Sequence, residues 1–340
     1  MVTPLRVAVA GFGYWGPNLA RNAANHPGMD LVAIVDANPR RLAAAKAAYP
    51  MVRLTTDARD VLASPDVDAV FVATPPETHC ALVLEALERG KHVLVEKPLA
   101  TSSHDAERMV AAAAQAERVL SVDHTFLFTP AVRKMQSYFA AGEMGEVYYY
   151  DSTRINLGIF QSNANVIWDL APHDISIMLH LLGEPVTSVS AFGARHVDMK
   201  NENIAYLTFQ FEGSLLAHLH VNWLAPTKIR RTIIGASRKM LVYDDIEPDE
   251  KLKVYDCGAQ IATDVEEIYG RLVEYRTGDV VSPRLDKTEA LAAEMDHFVN
   301  VVRGAELPIS DGAFGLEVVR IIDAAQRSLA NGGIPEQVQR

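Results

Sequence analysis

Leu5-Arg6-Val7-Ala8-Val9-Ala10-Gly11-Phe12-Gly13-Tyr14-Trp15-Gly16-Pro17-Asn18-Leu19-Ala20 runs an apolar strand into a glycine turn and then a helix start. In that context the spacing G-x-G-x-x-G means dinucleotide binding. Gly11 permits the tight turn, Gly13 lets the backbone approach a pyrophosphate, and Gly16 allows close helix–strand packing. Phe12, Tyr14 and Trp15 complete the loop, and Pro17 suits the first helical turn, where its missing N–H has no partner. Phosphates are expected on the helix N-terminus, where unpaired N–H groups and the dipole favour anions. Twenty residues beyond Gly16, the apolar run Leu31 to Val35 ends in Asp36. A carboxylate there accepts both ribose hydroxyls of NAD and repels a 2′-phosphate, which makes NADP the less favoured cofactor.

The same texture continues to about residue 125. Apolar runs at 5–10, 30–36, 68–73, 91–95 and 119–122, with a weaker one at 51–54, alternate with helical stretches at 17–25, 39–48, 78–89 and 102–117. Strands buried on both faces and alternating with helices predict a doubly wound parallel sheet. All its strand-to-helix loops gather at one edge. From 126 onward a helix at 130–141, a strand at 146–155 and a helix at 170–182 lead into strands at 186–195, 203–211, 214–223, 228–234 and 239–243. Strands in such tight succession predict an antiparallel sheet, with a hairpin turn at Phe209–Ser214. Helices at 287–303 and 313–330 end the pattern, while 245–285 is irregular and charged. The expected fold class is therefore α/β: a Rossmann domain over 1–125 and an α+β domain with a mostly antiparallel sheet over 126–340.

Bulk properties narrow the function. At 340 residues and 49% apolar content, the chain has ample core for two domains. Acids outnumber bases 43 to 32, and the net charge of −11 argues against a nucleic-acid partner. No apolar run reaches membrane-spanning length, and a strand begins by residue 5, so neither a membrane anchor nor a signal peptide is expected. Cys80 and Cys257 stand far apart, which suggests no disulfide framework and a reducing, cytoplasmic setting.

Three more loops carry chemistry. The strand at 68–73 ends in Thr74-Pro75-Pro76-Glu77-Thr78-His79, where two prolines force a turn and Thr78 is placed to cap the next helix. The strand at 91–95 ends in Glu96-Lys97-Pro98, which directs a lysine into the crevice beside the cofactor. Its ammonium can stabilise a developing alkoxide. In the second domain, Trp168-Asp169-Leu170-Ala171-Pro172-His173-Asp174 opens a helix. Asp169 and His173 share one face at a spacing of four, an arrangement suited to a general base. The plainer reading makes Asp169 and Asp174 N-terminal caps. No metal is expected, since Asp169, His173 and His180 lack a further ligand with reason to face them. Arg154, Asn156, Phe126, Phe128 and Trp168 are placed for a substrate pocket; Lys228, Arg230 and Arg231 form a basic cluster that can meet a nucleotide diphosphate, although a solvated strand face is the preferred reading.

Taken in order, Gly11–Gly16, Ala73–His79, Glu96-Lys97-Pro98 and Asp169–Asp174 resemble the glucose–fructose oxidoreductase/inositol dehydrogenase/rhizopine catabolism family, Gfo/Idh/MocA, over essentially the whole chain. The resemblance implies a C-terminal domain whose open sheet face makes homodimers or homotetramers. It implies that Lys97 touches nicotinamide and substrate, that His173 exchanges the hydroxyl proton, and that Asp169 supports the histidine or binds substrate. Thr74, Pro75 and His79 would line the cofactor, and Glu96 would orient its ribose. The expected activity is NAD-dependent hydride transfer at a secondary alcohol of a sugar, polyol or nucleotide sugar. The Gly-Tyr-Trp-Gly-Pro-Asn variant of the loop resembles members of nucleotide-sugar pathways. The alternatives are an NAD-dependent glycosidase using transient oxidation, a non-catalytic NAD- and sugar-binding regulator, and an NADPH ketoreductase in which Arg40 or Arg41 meets the phosphate.

Overall fold

A computed structural model describes residues 3–339 except 159, 162–163, 198–199 and 262–272. The chain divides into two compact units, Met1–Phe128 with Thr288–Arg320, and Thr129–Lys287 with Ile321–Arg340.

In the first unit, β1 (Leu5–Ala10), α1 (Gly16–Asn25), β2 (Met29–Val35), α2 (Pro39–Ala48), β3 (Arg53–Thr55), α3 (Ala58–Leu62), β4 (Ala69–Val72), α4 (His79–Glu88), β5 (His92–Glu96), α5 (Ser103–Ala116) and β6 (Leu120–Asp123) alternate as expected. Only the short α3 is absent from the sequence reading. Among the described residues the sheet has six parallel strands in the order β3-β2-β1-β4-β5-β6. That is the Rossmann order, and its direction reverses between β1 and β4. Val7, Val9, Phe71 and Leu94 are buried in its core, which is why the strands read as unbroken apolar runs. Local signals set the helix starts: Asn38 accepts from the Arg40 amide (3.0 Å) and Ser102 from the Asp105 amide (3.2 Å).

The second unit begins with α6 (Pro130–Ala140), β7 (Val147–Leu157) and α7 (Val166–Leu182). Then come β8 (Ser188–Ala194), β9 (Ile204–Gln210), β10 (Leu216–Asn222), β11 (Leu224–Ala236), β12 (Met240–Asp244) and β13 (Leu252–Tyr255). The segment that sequence left irregular also holds β14 (Gly258–Ile261), β15 (Val273–Arg276) and β16 (Val280–Val281). The last helices are α8 (Ala290–Val302) and α9 (Gly312–Ala330), followed by the short β17 (Glu336–Gln337). The main sheet runs β16-β13-β12-β11-β7-β10-β9-β8-β17, antiparallel except for β7 and β10. The β9–β10 hairpin turns at Gly213, whose φ of +91° suits glycine.

Two local readings change. Helix α7 starts four residues earlier than expected, because the Asn165 side chain accepts from the Trp168 amide (3.3 Å). Asp174 is therefore no cap. It is buried, and it accepts hydrogen bonds from the Arg154 guanidinium and from Ser152 Oγ (2.7 Å). Arg154, expected in a pocket, is 3% exposed for the same reason.

A third difference concerns 288–320, which belong to the first unit although sequence grouped them with the second. Leu291, Met295, Phe298 and Val299 of α8 join the Rossmann core, with Phe298 edge-on to Phe71 at 5.4 Å. Periodicity shows that a helix has an apolar face but not which sheet that face covers.

Asp174→Ala leaves the Arg154 guanidinium without its buried counter-ion. It is expected to cost about 3–5 kcal/mol in urea denaturation, with Arg154→Met in the same chain recovering part of the loss.

Candidate functional site

The site of the first unit begins where β1 ends. Gly11 has φ +97°, and a Cβ there would stand 2.4 Å from the Ala73 carbonyl oxygen at the end of β4. A Cβ on Gly16 would stand 2.0 Å from the Gly11 carbonyl oxygen, so both glycines are demanded by backbone contacts. Gly13 differs: its nearest neighbours within reach of a Cβ are the guanidinium atoms of Arg41, from 3.6 Å. The protein needs no glycine there for its own packing, so the open backbone fits a cradle for a diphosphate.

Asp36 holds this loop in place. Its Oδ2 accepts from the Phe12 amide (2.7 Å) and faces Arg41 Nη1 at 3.4 Å, while Oδ1 accepts from the Asn38 amide (2.8 Å). The carboxylate is buried, and Oδ1, which takes one amide, keeps a further lone pair for a ribose hydroxyl. Tyr14 is exposed, whereas Trp15 stacks beside it and donates its indole N–H to Asp123 Oδ2 (2.8 Å) at the end of β6.

After β4, the Thr78 hydroxyl turns back towards Thr74 Oγ1 and the Pro75 carbonyl, each at 2.7 Å, instead of capping α4. Pro76–Thr78 form a 3₁₀ turn, which gives the loop its bend. His79 is fully buried, with Nε2 2.9 Å from the Thr74 carbonyl and Nδ1 3.0 Å from that of Pro98. Burial pushes its pKa down, and a neutral ring has one N–H to give. The histidine thus bridges the Thr74 loop to the Glu96-Lys97-Pro98 loop, and any effect on the cofactor acts through those loops.

Glu96 and Lys97 close β5 at the sheet edge that carries the glycine loop. The Glu96 carboxyl is pushed well above its usual range, first by burial and then by Asp123 beside it. Asp123, Thr125, His124 and Glu294 surround this point. Sequence reasoning missed them, although Glu294 is an acid on the otherwise apolar face of α8.

In the second unit, Asp169 and His173 lie in the first turns of α7, one turn apart. Asp169 Oδ2 accepts from Trp223 Nε1 (2.9 Å), and the buried Trp223 packs edge-on to Phe160 at 5.8 Å. Trp223 is the partner that sequence missed; it comes from the turn between β10 and β11 and holds the carboxylate in one orientation. Arg230 pairs with Asp245 (3.1 Å), while Lys228 and Arg231 are exposed. Among the described residues no group of His, Cys, Asp and Glu is arranged to hold a metal ion. No helix among them is long and apolar enough to cross a membrane.

Residues 5–124 match the oxidoreductase family with an NAD-binding Rossmann fold, and 132–241 match the GFO/IDH/MocA C-terminal domain. The chain belongs to the Gfo/Idh/MocA family of oxidoreductases. An oxidoreductase structure from Magnetospirillum magnetotacticum MS-1 is 31% identical, at a TM-score of 0.80 over 95% of this chain and 99% of that one. The uncharacterized oxidoreductase YrbE of Bacillus subtilis is 26% identical over 98% of this chain and 96% of its own. UDP-N-acetylglucosamine 3-dehydrogenase of Acidithiobacillus ferrooxidans is 27% identical over 93% and 94%. NAD is accordingly the cofactor of the first unit, and the glycine loop geometry fits it.

Asp36→Ala removes both the brace of the Phe12 amide and the negative charge beside Arg41. NAD affinity is expected to fall by about tenfold or more, with a smaller loss for NADP, in fluorescence titrations of both cofactors.

Proposed function

We propose that the protein oxidises a secondary alcohol of a sugar, polyol or nucleotide sugar with NAD, or reduces the matching ketone. The observation that carries this reading is the lysine at the end of β5, on the same edge of a 3-2-1-4-5-6 sheet as a glycine loop built for a dinucleotide. The bound nicotinamide supplies the hydride acceptor. Gly11, Phe12, Gly13, Tyr14, Trp15 and Gly16 receive the diphosphate, and Asp36 receives the adenosine ribose. Thr74 and Pro75 shape the wall beside the cofactor, His79 sets that wall through the two loops it bridges, and Glu96 helps orient the ribose.

His173 takes the hydroxyl proton as the carbon–hydrogen bond breaks, and Lys97 stabilises the negative charge that develops on that oxygen. Asp169, held by Trp223, orients the histidine or binds a neighbouring hydroxyl. Hydroxyl groups flanking the reacting carbon suit this set of an acid, a base and a cation. Similarity to UDP-N-acetylglucosamine 3-dehydrogenase and the Gly-Tyr-Trp-Gly-Pro-Asn loop favour a nucleotide sugar over a free polyol. The enzyme works in the cytoplasm as a homodimer or homotetramer through the outer face of its second sheet, where Tyr149, Phe192 and Tyr206 are exposed.

The test is formation of reduced nicotinamide from NAD and a panel of UDP-sugars, aldoses and inositols. A signal with one class is expected; silence across the panel with NAD bound favours an internally recycling glycosidase or a sensor. With the responding substrate, Lys97→Ala should lower kcat by about 10²–10³ and His173→Ala by about 10²–10⁴, with NAD affinity held within about threefold. Unchanged kcat in either variant removes that residue from the mechanism.

A further inference from the structure

Behind the loop that carries Lys97, carboxyl groups meet without enough donors. Glu96 at the end of β5 stands opposite Asp123 at the end of β6 in the strand register, and Glu294 reaches the same place from α8. Asp123 and Glu294 are each 2% exposed, and Glu96 Oε1 is buried. Asp123 is the acceptor of the group. Its Oδ2 takes the Trp15 indole N–H at 2.8 Å, and its Oδ1 takes the Thr125 hydroxyl. Both Glu294 oxygens and Glu96 Oε1 are buried, and the donor beside Glu294, the Thr125 hydroxyl, goes to Asp123.

Buried carboxylates cannot face one another ionised without a shared proton or a cation. Lys97 is the cation whose field reaches Glu96, and its backbone amide also donates to that carboxyl. Among the described residues these side chains are not arranged as a metal-binding group. His124 is buried against Phe314 (5.7 Å) and is pushed down to about 4, first by burial, so it brings no charge at neutral pH. His297, one turn along α8, is occupied with Glu306 at 2.7 Å. The groups facing Glu294 are therefore Asp123, Glu96 and Thr125, with Lys97 beyond Glu96.

We propose that Glu294 is a positioning residue for the cofactor: holding a proton towards Asp123, it keeps Asp123 as the acceptor that fastens Trp15 and, through Trp15, the glycine loop. The chain of contacts is short. Trp15 is the residue from which α1 starts, and its carbonyl accepts from the Asn18 amide (2.8 Å), so the indole and the helix N-terminus move together. The bond runs from the loop after β1 to the end of β6, two strands beyond β4, so it spans the edge on which the nicotinamide half of a dinucleotide rests. When Glu294 loses its proton, two negative charges share a buried space and Asp123 is driven from the indole. The loop then loses an anchor 2.8 Å long. Glu294 ionises well above the ordinary carboxyl range, because burial and Asp123 both oppose the charge.

The sign follows. A carboxyl raised in the folded state is stabilising when protonated, and that stabilisation is lost as pH rises through its folded-state value. The experiment is NAD titration of the full chain from about pH 5.5 to about pH 9.5, with Trp15 fluorescence isolated by comparison with Trp15→Phe. In the native protein, NAD affinity should fall by about fivefold across that range. Glu294→Gln, which keeps the shape and cannot ionise, should lose at least half of that slope and gain thermal stability over the native chain as pH rises. Glu294→Ala should bind NAD more weakly at every pH, with Gln rescuing it. A slope reduced by less than half in Glu294→Gln overturns the proposal. Should that variant fail to fold, infrared spectra of the native protein decide: a buried protonated carboxyl band at neutral pH that disappears on raising pH is expected, and its absence overturns the proposal. The readout is NAD binding alone, so an error in the sugar assignment leaves this test intact.

Discussion

Everything at the edge of the Rossmann sheet depends on the approach of β1 to β4 at Gly11. A Cβ at that position would lie 2.4 Å from the Ala73 carbonyl oxygen, and the backbone turns with φ +97°. Only glycine meets both conditions without strain. The turn brings the Phe12 amide to Asp36 and sends the chain back at Gly16, whose own Cβ would strike the Gly11 carbonyl. From there the Trp15 indole reaches Asp123. One crowded point thus places the glycine loop, its brace at Asp36 and the link to the far strand, and it leaves Gly13 open.

The second unit works by a different constraint. Its sheet buries polar groups on the face beneath α7, and they are linked as a set: Arg154 with Asp174, Ser152 with Asp174 and Thr232, and Tyr150 with the Asp174 carbonyl. Such a network costs desolvation but admits one register of α7 on β7. That register, together with the Trp223 bond to Asp169, holds the start of α7, where His173 also lies.

The legible parts of the molecule are those whose signal is local. Glycine spacing, the Asp36 offset, strand–helix alternation and the change of texture near 126 all lie in short windows, and the observed strands of the first sheet agree with the expected ones to within two residues. What was not legible depends on partners distant in sequence. Asp174 looks like a cap until Arg154 is seen twenty residues away, and Thr78 looks like a cap until its hydroxyl is seen turned towards Thr74. The apolar face of α8 announces burial but not the sheet it covers, and so the return of 288–320 to the first unit went unread. Glu294 was hidden for the same reason, since its meaning comes from Asp123 and Glu96.

The central claim is net hydride transfer between a carbinol carbon and NAD. A single-turnover experiment tests it most directly, using a substrate that carries deuterium on that carbon, with mass analysis of the nicotinamide and sugar products. The account predicts reduced nicotinamide bearing one deuterium, released together with the ketone. Label retained in a cleaved or unchanged sugar, with no labelled nicotinamide released, would contradict it.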